Sequence, residues 1–524
     1  MIDEGVEGGP GMMSGAILVM AKGYEGLRLF AKAESSYRRF LQLIPANSPR
    51  AKAGKEGQKR MRTNQVDAAV ARFIETNVNE LHEPKAWDKG YDLADWFGPI
   101  TIARIPGREG GRGIVTTRDV APGELLMVEK AFVHGATQEF PENLNLSGQD
   151  LAVGSKASGS EIRLVSNLVA RLCDDPSAVS CVNALYGGPN YASFVTPTLN
   201  QPAQRAFDAE DTPTQPNLDA DRLEAVCSYN RFILPLYRDD IPDDDTAGQA
   251  SALFLAGSIF NHHCLPNSTG SFHRDVSIVR ARAAMKKGEE VFISYFPIGE
   301  DHDARQKYFG PVFEKGVCPC EICQLDRIDG PEKVALRHKI LKEEFLPHRQ
   351  KKQSGVPIQI EESARIRQQL LPILARLEST YSSSRGSLRP ELSDVYHLIA
   401  DSSVPVPVHL RQVAIDYRLK AFESAGAKFE KKGTKIKVIA APVLVHQYLD
   451  SVGICLLTSC TYLQTFPQDI PSCLSWLQTA VDMDKLLRQG TYASVRQGYA
   501  QVIKELNIGY LLDEAEKESL KKKK

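Results

Sequence analysis

No stretch of this chain approaches the ~18–20 uninterrupted apolar residues that a bilayer-crossing helix needs, so a membrane span is not expected. Charge of one sign is equally scarce: 64 Lys and Arg stand against 65 Asp and Glu, a net charge of −1. No global field therefore draws the chain to nucleic acid or to an anionic membrane. The closing "SLKKKK" reads as a solvated basic tail, and direct nucleic-acid binding is not expected. The opening "MIDEGVEGGPGMMSG" is acidic and Gly-rich, which suits neither a secretory signal nor a transit peptide. An intracellular location, cytoplasmic or nuclear or both, is the resulting expectation. In that reducing medium the ten cysteines serve as thiols or metal ligands rather than disulfides.

What is present is the composition of a soluble globular protein, 42% hydrophobic and 25% charged. A length of 524 residues exceeds one ordinary core and points to several domains. Residues 1–12 form a loose start. Residues 13–80 read as helices, with Tyr24, Ala33, Tyr37 and Pro45 at the spacing of a tetratricopeptide (TPR) helix pair. There a small residue lets two helices approach, aromatics fill the gap, and proline ends the second helix. An ordinary helical hairpin fits these residues equally well.

From residue 97 the period changes to short β-rich runs: Ile100–Ile105, Gly113–Thr117 and Glu124–Lys130, divided by Gly and Pro turns. Residues 134–250 are mixed, with helices predicted near 160–174 and 219–232 around a Pro/Asn/Gln-rich surface loop. A helix over 248–260 is expected to lead into "IFNHHCLPNS", and strands follow in "SIVRARAAMKKGEEVFISYF". From 328 to 520 the pattern is helical, an α-hairpin domain joined by short polar connections.

Cys318, Cys320 and Cys323 form C-x-C-x-x-C, three thiols within six residues. A structural zinc takes four ligands in a tetrahedron, so a fourth must come from elsewhere, Cys264 or a neighbouring histidine. A reduced surface cluster or a redox pair is the alternative. Cys173, Cys181, Cys227, Cys455, Cys460 and Cys473 show no such clustering and are expected to be small buried residues.

"NHHCLPN", then "KKGEEVFISY", then "CPCEIC" resembles the successive motifs of SET-domain methyltransferases, and "GGRGIVTTRDVAPGELLMVEK" resembles their first segment. Motif order, the long insertion and the helical flanks together resemble the split-SET, SMYD-like and TPR–SET type. The resemblance implies an α+β fold: a β-rich SET domain with a threaded (pseudoknot) core, flanked by N-terminal and C-terminal TPR-like helical regions. Its boundaries would be 97–297 for the split SET domain, with a first segment 97–133, an insertion 134–250 and a core 251–297. A post-SET zinc segment would occupy 298–326 and the C-terminal helical domain 328–520.

The same resemblance implies that Cys264 joins Cys318, Cys320 and Cys323 on one structural zinc ion, leaving His263 a loop histidine. It implies that Asn261 and His262 hold S-adenosylmethionine (SAM) through amide and main-chain hydrogen bonds, beside Tyr295. Arg112 and Gly113, on the GRG turn, and Asn230, in "VCSYNRFIL", are implied as further cofactor contacts, although a helix-end cap suits Asn230 nearly as well. Asn267 would fix the loop. Tyr295 would act in catalysis and contact the cofactor, orienting the acceptor amine.

The aromatic that closes the lysine channel in the family is displaced here: Glu314, Lys315 and Gly316 fill its place, and Phe313 stands five residues before Cys318. Residues 134–250 hold only Cys173, Cys181 and Cys227, too few for a MYND finger. The implied activity is SAM-dependent methylation of a lysine on a protein substrate, histone or non-histone, with protein partners binding the TPR-like helices. A catalytically weak SET/TPR scaffold is the alternative.

Overall fold

A computed structural model describes residues 10–26, 30–65, 95–105, 111–136, 148–150, 155–191, 198–199, 207–208, 218–234, 250–273, 275–295, 302–309, 317–353, 360–403, 408–443, 451–488 and 490–521. The chain divides into two compact units. One comprises Met1–Arg118, Leu125–Phe260 and Gly270–Val279, and the other Asp119–Glu124, Asn261–Thr269 and Arg280–Lys524.

The first unit opens with three helices, Pro10–Gly26, Phe30–Leu43 and Pro49–Gln65, each packed on the next. Ala21, Ala33 and Tyr37 are buried together, with Leu18 and Tyr24 against them. The third helix supplies two glycines at this contact. A Cβ on Gly57 would lie 2.4 Å from the Tyr37 ring, and one on Gly54 would lie 2.8 Å from Phe40. Small residues thus admit the aromatics from the third helix as well as the second. Residues 66–80 of the expected helical region lie outside the described residues.

The expected strands are found at Ile100–Arg104, Arg112–Thr116 and Leu125–Lys130. The first two form an antiparallel hairpin with Arg104 opposite Arg112 and Ala103 opposite Gly113. Gly111 takes φ +64° at its turn, a conformation that glycine adopts without a Cβ penalty. Leu125–Lys130 pairs with Trp96–Phe97 in a second sheet that continues through residues 276–279 and 270–273.

The helix expected over 248–260 is absent. Ala250–Leu253 is instead the central strand of an antiparallel sheet between Arg231–Leu234 and Val133–Ala136, and Gly257–Ile259 is one 3-10 turn. "ASALFLAGSIF" favours a helix by local propensity. Burial on both faces and pairing on both edges override it.

The helix Gly159–Asp174 covers this sheet through Leu164, Leu168 and Leu172, one stripe at a spacing of four. Cys173 falls off that stripe and is exposed, contrary to the expectation that it is buried, whereas Cys181, Cys227, Cys455, Cys460 and Cys473 are buried. The helix approaches the sheet closely at Gly135, where a Cβ would lie 2.4 Å from Leu164 N and 2.6 Å from Ser160 O. Most of the Pro/Asn/Gln-rich loop lies outside the described residues.

The second unit is largely helical, with one core around Leu370, Leu377, Leu392 and Ile399 and another around Trp476, Leu477, Ile454 and Phe422. The all-helical expectation for 328–520 needs correction, because Lys428–Lys432 and Lys435–Ala440 form an antiparallel hairpin. Phe429, Ile436 and Val438 seat it on the second core. Its turn uses Gly433 at φ +62°. Exposed lysines along its edges give a charged pattern that hides a strand from a period-based reading. Among the described residues no helix is long and apolar enough to cross a membrane.

Two tests follow from the first unit. Gly135→Ala is expected to cost about 1–3 kcal/mol by forcing helix from sheet, read as a lower urea midpoint. Glu129, 1% exposed, accepts main-chain N–H bonds of 2.8 Å from Ala256 and Gly257. Burial and then the Asp95 charge push its carboxyl up from 4.5 to about 8, against those donors. A raised folded-state pKa makes its contribution full below 4.5 and loses it as pH rises through 8. Urea midpoints should therefore fall across that window, and Glu129→Gln should flatten the decline. An equal decline in the variant would assign it to other groups.

Candidate active site and metal clip

C-x-C-x-x-C runs into the helix Glu321–Asp329, and Cys320 is its N-cap, extended at φ −66° and ψ 160°. Capping fixes the local geometry: Cys320 Sγ accepts from Cys323 N at 3.5 Å, which brings both sulfurs to the helix start. Cys264 enters on the loop after the short strand Asn261–His262. The four sulfurs all lie within 4.8 Å of one another, and all four residues are buried. Cys264 Sγ is 3.6 Å from Cys323 Sγ and 4.0 Å from Cys318 Sγ.

A tetrahedral zinc thiolate with ~2.3 Å bonds has sulfur–sulfur edges of about 3.8 Å, so the donor set and spacing fit zinc. Among the described residues no histidine belongs to the cluster. Their mutual hydrogen bonds hold the Cys264 thiol above its ordinary value and lower Cys323 to about 6. Cys320 is also held low by hydrogen bonds from the other three.

Gln306, which sequence reasoning missed, braces the clip from the helix His302–Phe309. Its Nε2 donates to Cys323 Sγ at 3.3 Å, and its Oε1 accepts from Cys318 N at 3.1 Å. Only its place twelve residues before Cys318 hints at this role, and that spacing carries no motif.

Asn261–His262 pairs in parallel with Glu290–Ile293, Asn261 opposite Phe292 and His262 opposite Ile293. Gly288 at φ +82° makes the turn before this second strand. The pairing brings Tyr295 to His262 across 33 residues, with ring centroids 5.2 Å apart. Tyr295 N–H donates to His262 Nδ1 at 2.9 Å, and His262 Nε2 lies 3.3 Å from Cys264 Sγ. Both ring nitrogens are thus engaged inside the protein. Asn261, half-buried, donates from Nδ2 to Glu290 Oε1 at 2.7 Å. An amide beside a carboxylate fits the amino-acid end of SAM, which offers both an ammonium and a carboxylate.

Asn267 fixes the loop. Its Oδ1 accepts from Phe292 N at 2.9 Å and its Nδ2 donates to Glu290 O at 2.8 Å. His263 Nδ1 accepts from Leu265 N at 3.0 Å, and its ring packs on Phe292.

Arg112, Gly113 and Asn230 belong to the first unit. Arg112 is buried, its guanidinium donates to Ala184 O, and burial lowers its pKa to about 10. Gly113 is paired in the hairpin. Asn230 ends the helix Ala220–Asn230 and donates from Nδ2 to Tyr186 O at 2.6 Å and Val226 O at 2.7 Å. Its amide nitrogen works as a helix-end clamp. Phe313 lies outside the described residues.

Residues 111–296 match the family described as the SET domain. The chain is 26% identical over 272 residues to a protein named "Methyltransferase" from Gibberella zeae, covering 48% of this chain and 34% of that protein. It is 33% identical over 97 residues to histone-lysine N-methyltransferase set5 of Schizosaccharomyces pombe, 18% of this chain and 29% of that one. Human N-lysine methyltransferase SMYD2 is 33% identical over 88 residues, 16% of this chain and 19% of that one. The chain spans about a third or less of the length of these curated relatives.

The clip gives a direct test. Metal analysis of purified protein should find one zinc per chain, and Cys264→Ser should lower that occupancy and the urea midpoint together. Full zinc content in the serine variant would remove Cys264 from the ligand set.

Proposed function

We propose that this chain is a SAM-dependent protein-lysine N-methyltransferase stabilised by one structural zinc. The observation that carries the reading is the convergence of Asn261, His262 and Tyr295 beside the four-cysteine cluster, within and just after residues that match the SET domain. The methyltransferase names of the relatives support the same class.

In this reading Asn261 and the His262 main chain hold SAM, which supplies an electrophilic methyl group when bound. Arg112 and Gly113 are further candidate cofactor contacts in this reading. Transfer to lysine is an in-line displacement, so the amine must be neutral, close and aligned, and positioning supplies much of the acceleration. Free lysine has a pKa of ~10.4, so an apolar channel beside a sulfonium cation favours the neutral form. Tyr295 orients the amine with its hydroxyl, and Phe313 is the candidate for the aromatic that lines the channel in the family. The threaded core and TPR-like flanks belong to the same proposal, as does a protein substrate, histone or non-histone, reached inside the cell. Protein partners would bind the helices.

A scaffold with weak catalysis is the second reading, favoured by the displaced aromatic at Phe313. Radiolabelled SAM with a lysate and histone panel separates the two. The enzyme reading expects label on lysine. It also expects Tyr295→Phe to cut the rate on the order of 100-fold while the SAM Kd measured by calorimetry changes far less. Saturable SAM binding with no labelled lysine would favour the scaffold, and absence of SAM binding would sink the enzyme reading.

A further inference from the structure

The imidazole of His262 is 2% exposed and lies between two partners of different kinds. On one side Tyr295 N–H donates to Nδ1 at 2.9 Å, so Nδ1 carries the lone pair and Nε2 carries the proton. On the other side Nε2 is 3.3 Å from Cys264 Sγ, within the range of an N–H donor on a sulfur acceptor. One tautomer satisfies both contacts. Tyr295 itself sits just beyond the strand Glu290–Ile293, outside the ladder that would hold its main chain. Its ring packs on the cluster formed by Cys264, Cys318, Cys320, Ile322 and Cys323.

We propose that His262 is a positioning residue that carries the rigidity of the cysteine clip to Tyr295, so that metal occupancy sets the placement of the tyrosine main chain. The chain of cause is mechanical. A metal fixes the Cys264 sulfur, the sulfur fixes the ring through Nε2–H, and the ring fixes the Tyr295 N–H through Nδ1. Outer-shell partners of this kind orient what they touch and tune the metal they border. The catalytic consequence rests on the proposed role of Tyr295 in orienting the amine. The mechanical link does not.

Two variants separate the two contacts. The amide of asparagine reaches the position of Nδ1, and that of glutamine reaches the position of Nε2. In the full-length zinc-loaded protein, His262→Asn should keep the Tyr295 amide protected from hydrogen exchange. It should release zinc to a chromogenic chelator about 10–100-fold faster than the wild type. His262→Gln should hold zinc near the wild-type rate while Tyr295 N–H exchange rises about tenfold. Stripping zinc from the wild type should raise Tyr295 exchange by a similar factor. Phe292 N–H, held separately by Asn267 Oδ1, is the internal reference.

The proposal is overturned if Tyr295 and Phe292 exchange change in parallel on zinc removal, which would mean general loosening. It is overturned too if both variants weaken SAM binding while zinc release and Tyr295 exchange stay as in the wild type, which would make His262 a side-chain cofactor contact. Wild-type protein that transfers no methyl group would defeat the enzyme reading, and the exchange and zinc-release results would still decide this one.

Discussion

Four sulfurs buried within 4.8 Å of one another form a constraint that no packing of neutral side chains relieves. As thiolates they repel across a low dielectric, and a divalent cation reverses the sign of that interaction. A zinc ion closing the tetrahedron would draw Cys264 to a helix start nearly sixty residues further along, and each neighbouring element has a place around that cluster. Cys320 caps the helix Glu321–Asp329, Gln306 bridges two ligands, and the loop carrying Asn261 and His262 is held at its far end. The clip is therefore a positioning device as much as a source of stability. A structural zinc in a site with all four positions filled has none left for catalytic water.

The helix that begins at the clip ends in a second buried polar assembly. Arg305 and Arg337 meet Asp326 at 2.6 and 3.3 Å, and Arg337 and Arg385 meet Asp329 at 2.6 and 2.8 Å. Glu391, 3.6 Å from Arg337, accepts from Tyr381 OH at 3.0 Å, and the Arg337 guanidinium lies 3.6 Å from the centroid of the Tyr381 ring. Three cations face three carboxylates, so the group is neutral as a whole. Arginine suits it because a planar fork can serve two carboxylates and still stack on an aromatic ring. Breaking one such buried pair costs about 3–5 kcal/mol, whereas an apolar replacement of the entire set can be neutral. Its value thus lies in specificity: Asp326 and Asp329 accept one arrangement of surrounding helices, and that arrangement orients the helix that carries Cys323.

How much of this was legible depended on whether the signal was local. The β-rich runs from 100 to 130, the helices 159–174 and 220–230, and the cysteine cluster all announce themselves through short-range period or spacing. Ala250–Leu253 does not, because its strand character comes from partners more than a hundred residues upstream and sixteen to twenty-two residues back. The hairpin 428–440 was hidden by its lysines. Asn230 shows a third kind of limit: sequence offered both a cofactor contact and a helix-end cap, and the carbonyls of Tyr186 and Val226, which take its amide donors, are visible only in the folded insertion. The ring contacts of His262, with Tyr295 N–H on one nitrogen and Cys264 Sγ beside the other, were likewise beyond reach of the motif.

The hairpin that the period concealed bears on the site through Arg282. This side chain, 6% exposed, donates from Nε to Pro266 O at 2.6 Å and from Nη1 to Gly426 O at 3.3 Å, and also to Ala441 O. Its own carbonyl accepts from Ala441 N at 3.2 Å. One buried cation therefore ties the proline of the "NHHCLPN" loop to both ends of the hairpin segment. Leu265 closes the same contact from above: a Cβ on Gly426, at φ +81°, would lie 2.6 Å from its side chain. The loop is thus gripped at three points: Cys264 joins the four-cysteine cluster, Asn267 binds the strand that leads to Tyr295, and Arg282 anchors Pro266 to the helical region. A loop so held has little freedom to move without disturbing the clip, and the asparagine and histidine that precede Cys264 inherit that rigidity.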